Sequence, residues 1–75
     1  MIELPVMEAP KKRSITINGH ATSVSLEGAF WEGLRALAAA EGLTIAEAIS
    51  AIDHARPAEV GLATAIRLTV LAARG

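Results

Sequence analysis

The chain has no cysteine and no tyrosine, only two histidines, and a single phenylalanine beside a single tryptophan. Without cysteine there is no disulfide, and no thiolate to serve as nucleophile or metal ligand. The histidines, His20 and His54, lie too far apart in sequence to suggest a metal site, so no metal and no cofactor is expected. No apolar run reaches the roughly 18 residues of a membrane span, because Arg67 and Arg74 bracket the longest C-terminal candidate. The N-terminal MIELPVMEAPKKR carries an acid early and its basic cluster late, the reverse of a secretory signal. A soluble cytoplasmic protein with no membrane partner is the expectation.

What is present is mostly alanine and aliphatic side chains. The hydrophobic content of 52% within 75 residues implies a helical core filled thinly by small residues. A domain of this size buries a marginal core alone, and with disulfides and metal closed to it, dimerisation is the remaining remedy. The net charge of −1 is unevenly spread: Lys11, Lys12 and Arg13 supply three of the seven basic residues. Such a cluster is either a solvated basic tail or a contact for nucleic acid.

Residues 1–11 contain Pro5 and Pro10 and show no sustained periodicity, which reads as a flexible N-terminal arm before a domain at 12–75. Ile15 and Ile17 then alternate with Ser14 and Thr16, and after Asn18-Gly19 the alternation resumes, with Thr22, Val24 and Leu26 against Ala21, Ser23 and Ser25. Asn-Gly between alternating runs signals a two-residue hairpin turn, since both residues tolerate positive φ. The spacing predicts strands at about 12–17 and 20–26, with Ile17 opposite His20, Ile15 opposite Thr22 and Arg13 opposite Val24. One face then carries Ile15, Ile17, His20, Thr22, Val24 and Leu26, and the other Lys12, Ser14, Thr16, Ala21, Ser23 and Ser25. A strand that buries one face needs hydrogen-bonded neighbours, and the copy in a second subunit is the expected one for Ala21 to Leu26.

Helical periodicity follows. Phe30, Trp31, Leu34, Leu37 and Ala38 form one stripe of a helix at about 27–41, with Glu27 complementing its start and Gly42 ending it. Thr44-Ile-Ala-Glu47 is a capping-box pattern opening a helix at about 45–55, striped by Ile45, Ala48, Ile49 and Ile52 and stopped at Arg56-Pro57. A third helix at about 62–73 carries Leu62, Ile66, Val70 and Ala73 on one side and Leu68 and Leu71 on its flanks, so it calls for burial on several sides. The fold class is therefore mostly α with a short N-terminal β-hairpin.

Candidate chemistry is sparse. Asp53 and His54 are adjacent on a helix and do not face each other, and no serine or cysteine nucleophile is spaced to use them, so an enzyme is not expected. His20 is expected to pack its ring on a neighbouring apolar residue, and Trp31 to anchor the core. Arg67, in a mostly apolar helix, is expected to reach solvent or to pair with Asp53 or Glu59.

Strand, helix, glycine turn and second helix resemble the ribbon-helix-helix superfamily, the fold of Arc-type and methionine-type repressors. Gly19-His20-x-Thr22-Ser23, Leu26-Glu27-x-x-Phe30-Trp31 and Ala65-Ile66-Arg67 resemble a subfamily of small stand-alone bacterial members, over about residues 13–74. The resemblance implies a ribbon-helix-helix homodimer with an additional C-terminal helix, its strands pairing across a two-fold axis and the ribbon entering the DNA major groove. It turns Ala21, Ser23 and Ser25 toward double-stranded DNA and Thr22, Val24 and Leu26 into the dimer interface, which also draws on Phe30, Trp31 and Ile49. It makes the start of the second helix, Thr44 with the amides of Ile45 and Ala46, a phosphate clamp.

The outward side chains Ala21, Ser23 and Ser25 are all short, and a serine hydroxyl suits several bases, so base discrimination by this set is poor. Lys12 and Arg13 would add phosphate contacts that weaken with salt. The expected function is a homodimeric DNA-binding transcriptional regulator or antitoxin-like repressor. The alternative is a protein-protein interaction or assembly module that keeps the dimer fold, with a protein partner or a higher assembly and little or no sequence-specific DNA binding.

Overall fold

The computed structural model describes residues 1–74, so the last residue of the expected 12–75 domain lies outside the described residues. The order of elements is β1 (Lys11–Ile17), β2 (His20–Leu26), α1 (Gly28–Ala40), α2 (Ile45–Ala55) and α3 (Leu62–Arg74). Residues 1–10 carry no regular structure and are exposed throughout, and β1 begins one residue before the expected boundary.

The turn is built as its two residues dictate. Asn18 and Gly19 both take positive φ, 51° and 79°, the backbone of a type I′ turn that joins strands with the right twist. β1 and β2 pair antiparallel in the expected register, with Ile17 opposite His20, Ile15 opposite Thr22 and Arg13 opposite Val24. The strand Ala21 to Leu26 thus finds one hydrogen-bonded neighbour inside its own chain, as the hairpin reading expects, and a copy in a second subunit can add only along its other edge. The sheet has two strands, so the other edge of β2 remains free.

Helix boundaries follow from their caps. At the end of α1, Gly42 has φ 69°, Gly42 N–H donates to the Ala39 carbonyl at 3.1 Å and Leu43 N–H to the Ala38 carbonyl at 2.8 Å, a Schellman closure. At the start of α2, Glu47 N–H donates to Thr44 Oγ1 at 3.1 Å and Thr44 N–H to Glu47 Oε1 at 2.8 Å, completing the expected capping box. Arg56 turns extended before Pro57, and its guanidinium bridges Asp53 (2.8 Å) and the Val60 carbonyl (2.7 Å), pinning the link to α3.

The core lies between the inner face of the hairpin and the three helices. Leu26, Leu34, Ile49 and Ile66 are fully buried, with Val24, Val70 and the small residues Ala38, Ala48 and Ala65 between them. Small residues let the helices approach closely: a Cβ on Gly33 of α1 would stand 2.5 Å from Cγ1 of Val70 on α3. Trp31 is only half-buried, at the margin of this core rather than at its centre, while Leu68 and Leu71 of α3 are exposed. No helix among the described residues is long and apolar enough to cross a membrane.

Candidate nucleic-acid interface

The hairpin has two unequal faces. Inward, Val24 and Leu26 are buried and Ile15 and Ile17 half-buried against the helices, whereas His20 and Thr22, nearer the turn, overhang the core and stay exposed. His20 lines a groove with Ile17 and Leu62 at the turn end of the hairpin. Outward, Lys12, Ser14, Thr16, Ala21, Ser23 and Ser25 are all exposed, and they make a shallow, hydroxyl-lined surface.

Register decides which backbone groups are free. The pair that closes a two-residue turn exchanges both hydrogen bonds, and hydrogen-bonded and non-bonded pairs then alternate along the ladder. His20, Thr22, Val24 and Leu26 accordingly bond to β1, while the N–H and C=O groups of Ala21, Ser23 and Ser25 point to the free edge of β2. The residues whose side chains are exposed on the outer face are thus the residues whose backbone awaits a partner.

Several residues singled out in the sequence sit elsewhere. Arg13 belongs to the inward parity: its guanidinium lies 4.8 Å from the Trp31 ring centroid, and Nε donates to the Leu26 carbonyl at 3.4 Å. This cation over an aromatic face holds the strand end on α1, so Arg13 acts first as a structural residue. Lys12 alone of the two stands on the outer face. Val24, Leu26 and Ile49, expected at a subunit interface, are already covered by the chain's own helices, at 5%, 0% and 0% exposure. Thr22 is exposed, and Phe30 and Trp31 are half-buried.

Thr44 caps α2, its hydroxyl accepting from the Glu47 amide while the Glu47 carboxylate accepts from the Thr44 N–H. The backbone and hydroxyl hydrogen bonds of Thr44 hold the Glu47 carboxyl below its ordinary value, so it is charged at neutral pH. The amides of Ile45 and Ala46 lie outside the capping box. Glu47 also lies beside the hairpin turn, lining one groove with Thr16, Asn18, Ser50 and His54.

A pairing that sequence reading missed ties the site to the core. Arg67 does not use Asp53 or Glu59. It forks onto Glu27, with Nε to Oε1 at 2.9 Å and an Nη to Oε2 at 3.1 Å, and Asp53 goes to Arg56 instead. Glu27 stands at the start of α1 with its side chain turned away from the helix amides, so the fork links the end of β2 to α3. The Arg67 hydrogen bond is the main cause holding the Glu27 carboxyl below its ordinary value. Forty residues separate the partners, and nothing local in the sequence signals the contact.

Among the described residues no group of three or more histidines, cysteines or acids could hold a metal ion. A family model described as a ribbon-helix-helix domain matches residues 10–73. Neither a curated protein nor a solved structure matches the chain.

Proposed function

The chain belongs to the ribbon-helix-helix family, whose domains bind DNA as dimers, and from that premise we propose that it is a homodimeric DNA-binding protein acting as a transcriptional regulator of the antitoxin-like or repressor kind. The observation that carries this reading is the division of labour in the hairpin. One face is consumed by the core, and the other is bare, hydroxyl-lined and ends in Lys12, beside a free β2 edge.

The two-fold partner pairs along that edge. Centring the axis on Ser23 sets Ser23 against its own copy and Ala21 against the partner's Ser25, the register that brings all three free residues into the ladder. The outer faces then merge into one surface turned toward the major groove, with Ser23 on the axis and Ala21 and Ser25 equally distant on either side. Burial of Val24, Leu26 and Ile49 within each chain makes this a union of two formed cores through backbone bonds, with Thr22 the inward side chain left to meet the partner.

A second reading is favoured by α3. Leu68 and Leu71 stand exposed, and Leu68 shares an apolar groove with Ala51, Ile52, Ala55, Pro57 and Val60. Arg67, the one charge of this helix before Arg74, is held by Glu27, so like charges do not oppose α3 meeting a second copy. On this reading the chain is an assembly module that joins copies through α3 and binds little DNA. A gel-shift titration of genomic fragments at two salt concentrations, paired with sedimentation, separates the two. A DNA-binding dimer retains fragments at low salt and releases them as salt rises; a dimer or larger species with no retention at low salt leaves the assembly module.

A further inference from the structure

Resting on the DNA-binding part of that reading and departing from a repressor that selects its own site, we infer that the protein holds duplex DNA by its phosphates alone, the sheet lying across the major groove without reading bases. Two independent features carry this, the breadth of the paired sheet and the reach of its side chains.

Breadth comes first. Each chain contributes two hydrogen-bonded strands, so pairing along β2 makes the order β1-β2-β2′-β1′. At about 4.8 Å between neighbours the outer strand axes stand roughly 14 Å apart, and with the strand bodies the sheet is about 19 Å broad. The major groove is about 12 Å wide and about 8.5 Å deep. A two-stranded ribbon enters such a groove; a four-stranded sheet rests on its rims.

Reach closes the alternative. A sheet held at the rims reads base edges only through long side chains, and the outer face offers Ser14, Thr16, Ala21, Ser23 and Ser25. A serine hydroxyl stands about 2.5 Å from its own Cα, two bond lengths away, well short of the groove floor. The one long side chain on this face is Lys12, which the register sets at the end of β1 away from the turn. With Ser23 on the axis, the two Lys12 residues occupy diagonally opposite corners of the sheet, on the outer strands that lie over the phosphate rims. Lys11 is exposed beside each, and the Glu47 carboxylate lies at the turn end of β1, away from them. The partner is therefore duplex DNA of any sequence, bound as a polyanion.

The test is fluorescence anisotropy of the full chain with 20-base-pair duplexes of several unrelated sequences and with a random pool, over a series of salt concentrations. Affinities agree within about threefold across sequences, and log K falls against log salt with a slope of about −1.8 from the Lys12 pair, reaching about −3.6 if both Lys11 residues also engage. Lys12→Ala lowers binding to every duplex alike and makes the slope shallower by about 1.8. Ser23→Ala, which removes the most central hydroxyl and keeps its backbone, changes affinity by less than about twofold. A sequence bound more than tenfold above the pool, or a tenfold loss in Ser23→Ala, overturns the inference and leaves DNA binding standing. Failure of every duplex to bind at low salt overturns the DNA-binding reading and this inference with it.

Discussion

Replacing Ser23 by proline tests the proposed dimer at its centre, because the ladder separates the two roles of β2. Ser23 and Ser14 face each other as a non-bonded pair, so Ser23 N–H points to the free edge and takes no part in the hairpin. Proline removes that donor while its φ remains compatible with an edge strand. Across the two-fold axis the substitution deletes two bonds, each with a net contribution of about 1 kcal/mol, so the dimer weakens by at least about 2 kcal/mol, roughly 30-fold in Kd. Ser14→Pro is the matched control, since its N–H faces the opposite edge of the sheet; it leaves dimerisation within about twofold of the parent. Thr22→Pro strikes a residue bonded to Ile15 and disrupts the hairpin itself. Sedimentation equilibrium over a dilution series reads the dimer constant, and circular dichroism verifies that the helices persist. A Ser23→Pro chain that dimerises like the parent, or equal losses in Ser23→Pro and Ser14→Pro, refutes pairing along β2.

Two further substitutions probe how the helices hold the hairpin. Gly33→Ala improves helix propensity by about 1 kcal/mol but sets its methyl against Val70, an overpacking that costs about 1–3 kcal/mol, so a net loss of about 1 kcal/mol and roughly 4–8 °C in Tm is expected. In a Val70→Ala background the same change ceases to destabilise; a rise in Tm for the single variant would refute the close α1–α3 approach. Glu27→Gln keeps the shape of the fork but removes its charge, and it lowers Tm at neutral pH. Because the folded Glu27 carboxyl lies below its ordinary value of 4.5, its contribution is present above about pH 4.5 and fades as pH falls through the depressed value. The gap in Tm between parent and variant therefore narrows on acidification, and a constant gap from pH 7 to pH 3 would show that the ion pair is not its source.

Local signals carried over well wherever the physics was local. Asn18-Gly19 can hardly do other than turn, and alternation on either side leaves one register that keeps Val24 and Leu26 on a single face. The Thr44 capping box and the Gly42 closure involve groups within a few residues of each other, so chain connectivity alone brings them together. The outer face of the candidate interface was legible for the same reason, since strand parity assigns Lys12, Ser14, Thr16, Ala21, Ser23 and Ser25 without reference to the rest of the molecule. That parity also places Arg13 inward, opposite Val24.

Other features depended on where whole elements came to rest. The partner of Arg67 was an acid forty residues away, brought within reach because α3 packs against β2, while the nearer Asp53 pairs with Arg56. Trp31 moved from expected core to margin because Leu34, Ile49 and Ile66 fill the interior and leave the indole for Arg13. Glu47, fixed by the cap, came to line a groove with Thr16 and Asn18 of the hairpin, a neighbour that only the packing of α2 on the hairpin supplies. The sequence by itself determined the elements, their caps, the hairpin register and the composition of its outer face, because those follow from interactions a few residues long. Only the tertiary structure decided that one chain covers Val24, Leu26 and Ile49 unaided and keeps one edge of β2 open, because burial depends on the close approach that Gly33 and the core alanines permit between helices distant in sequence.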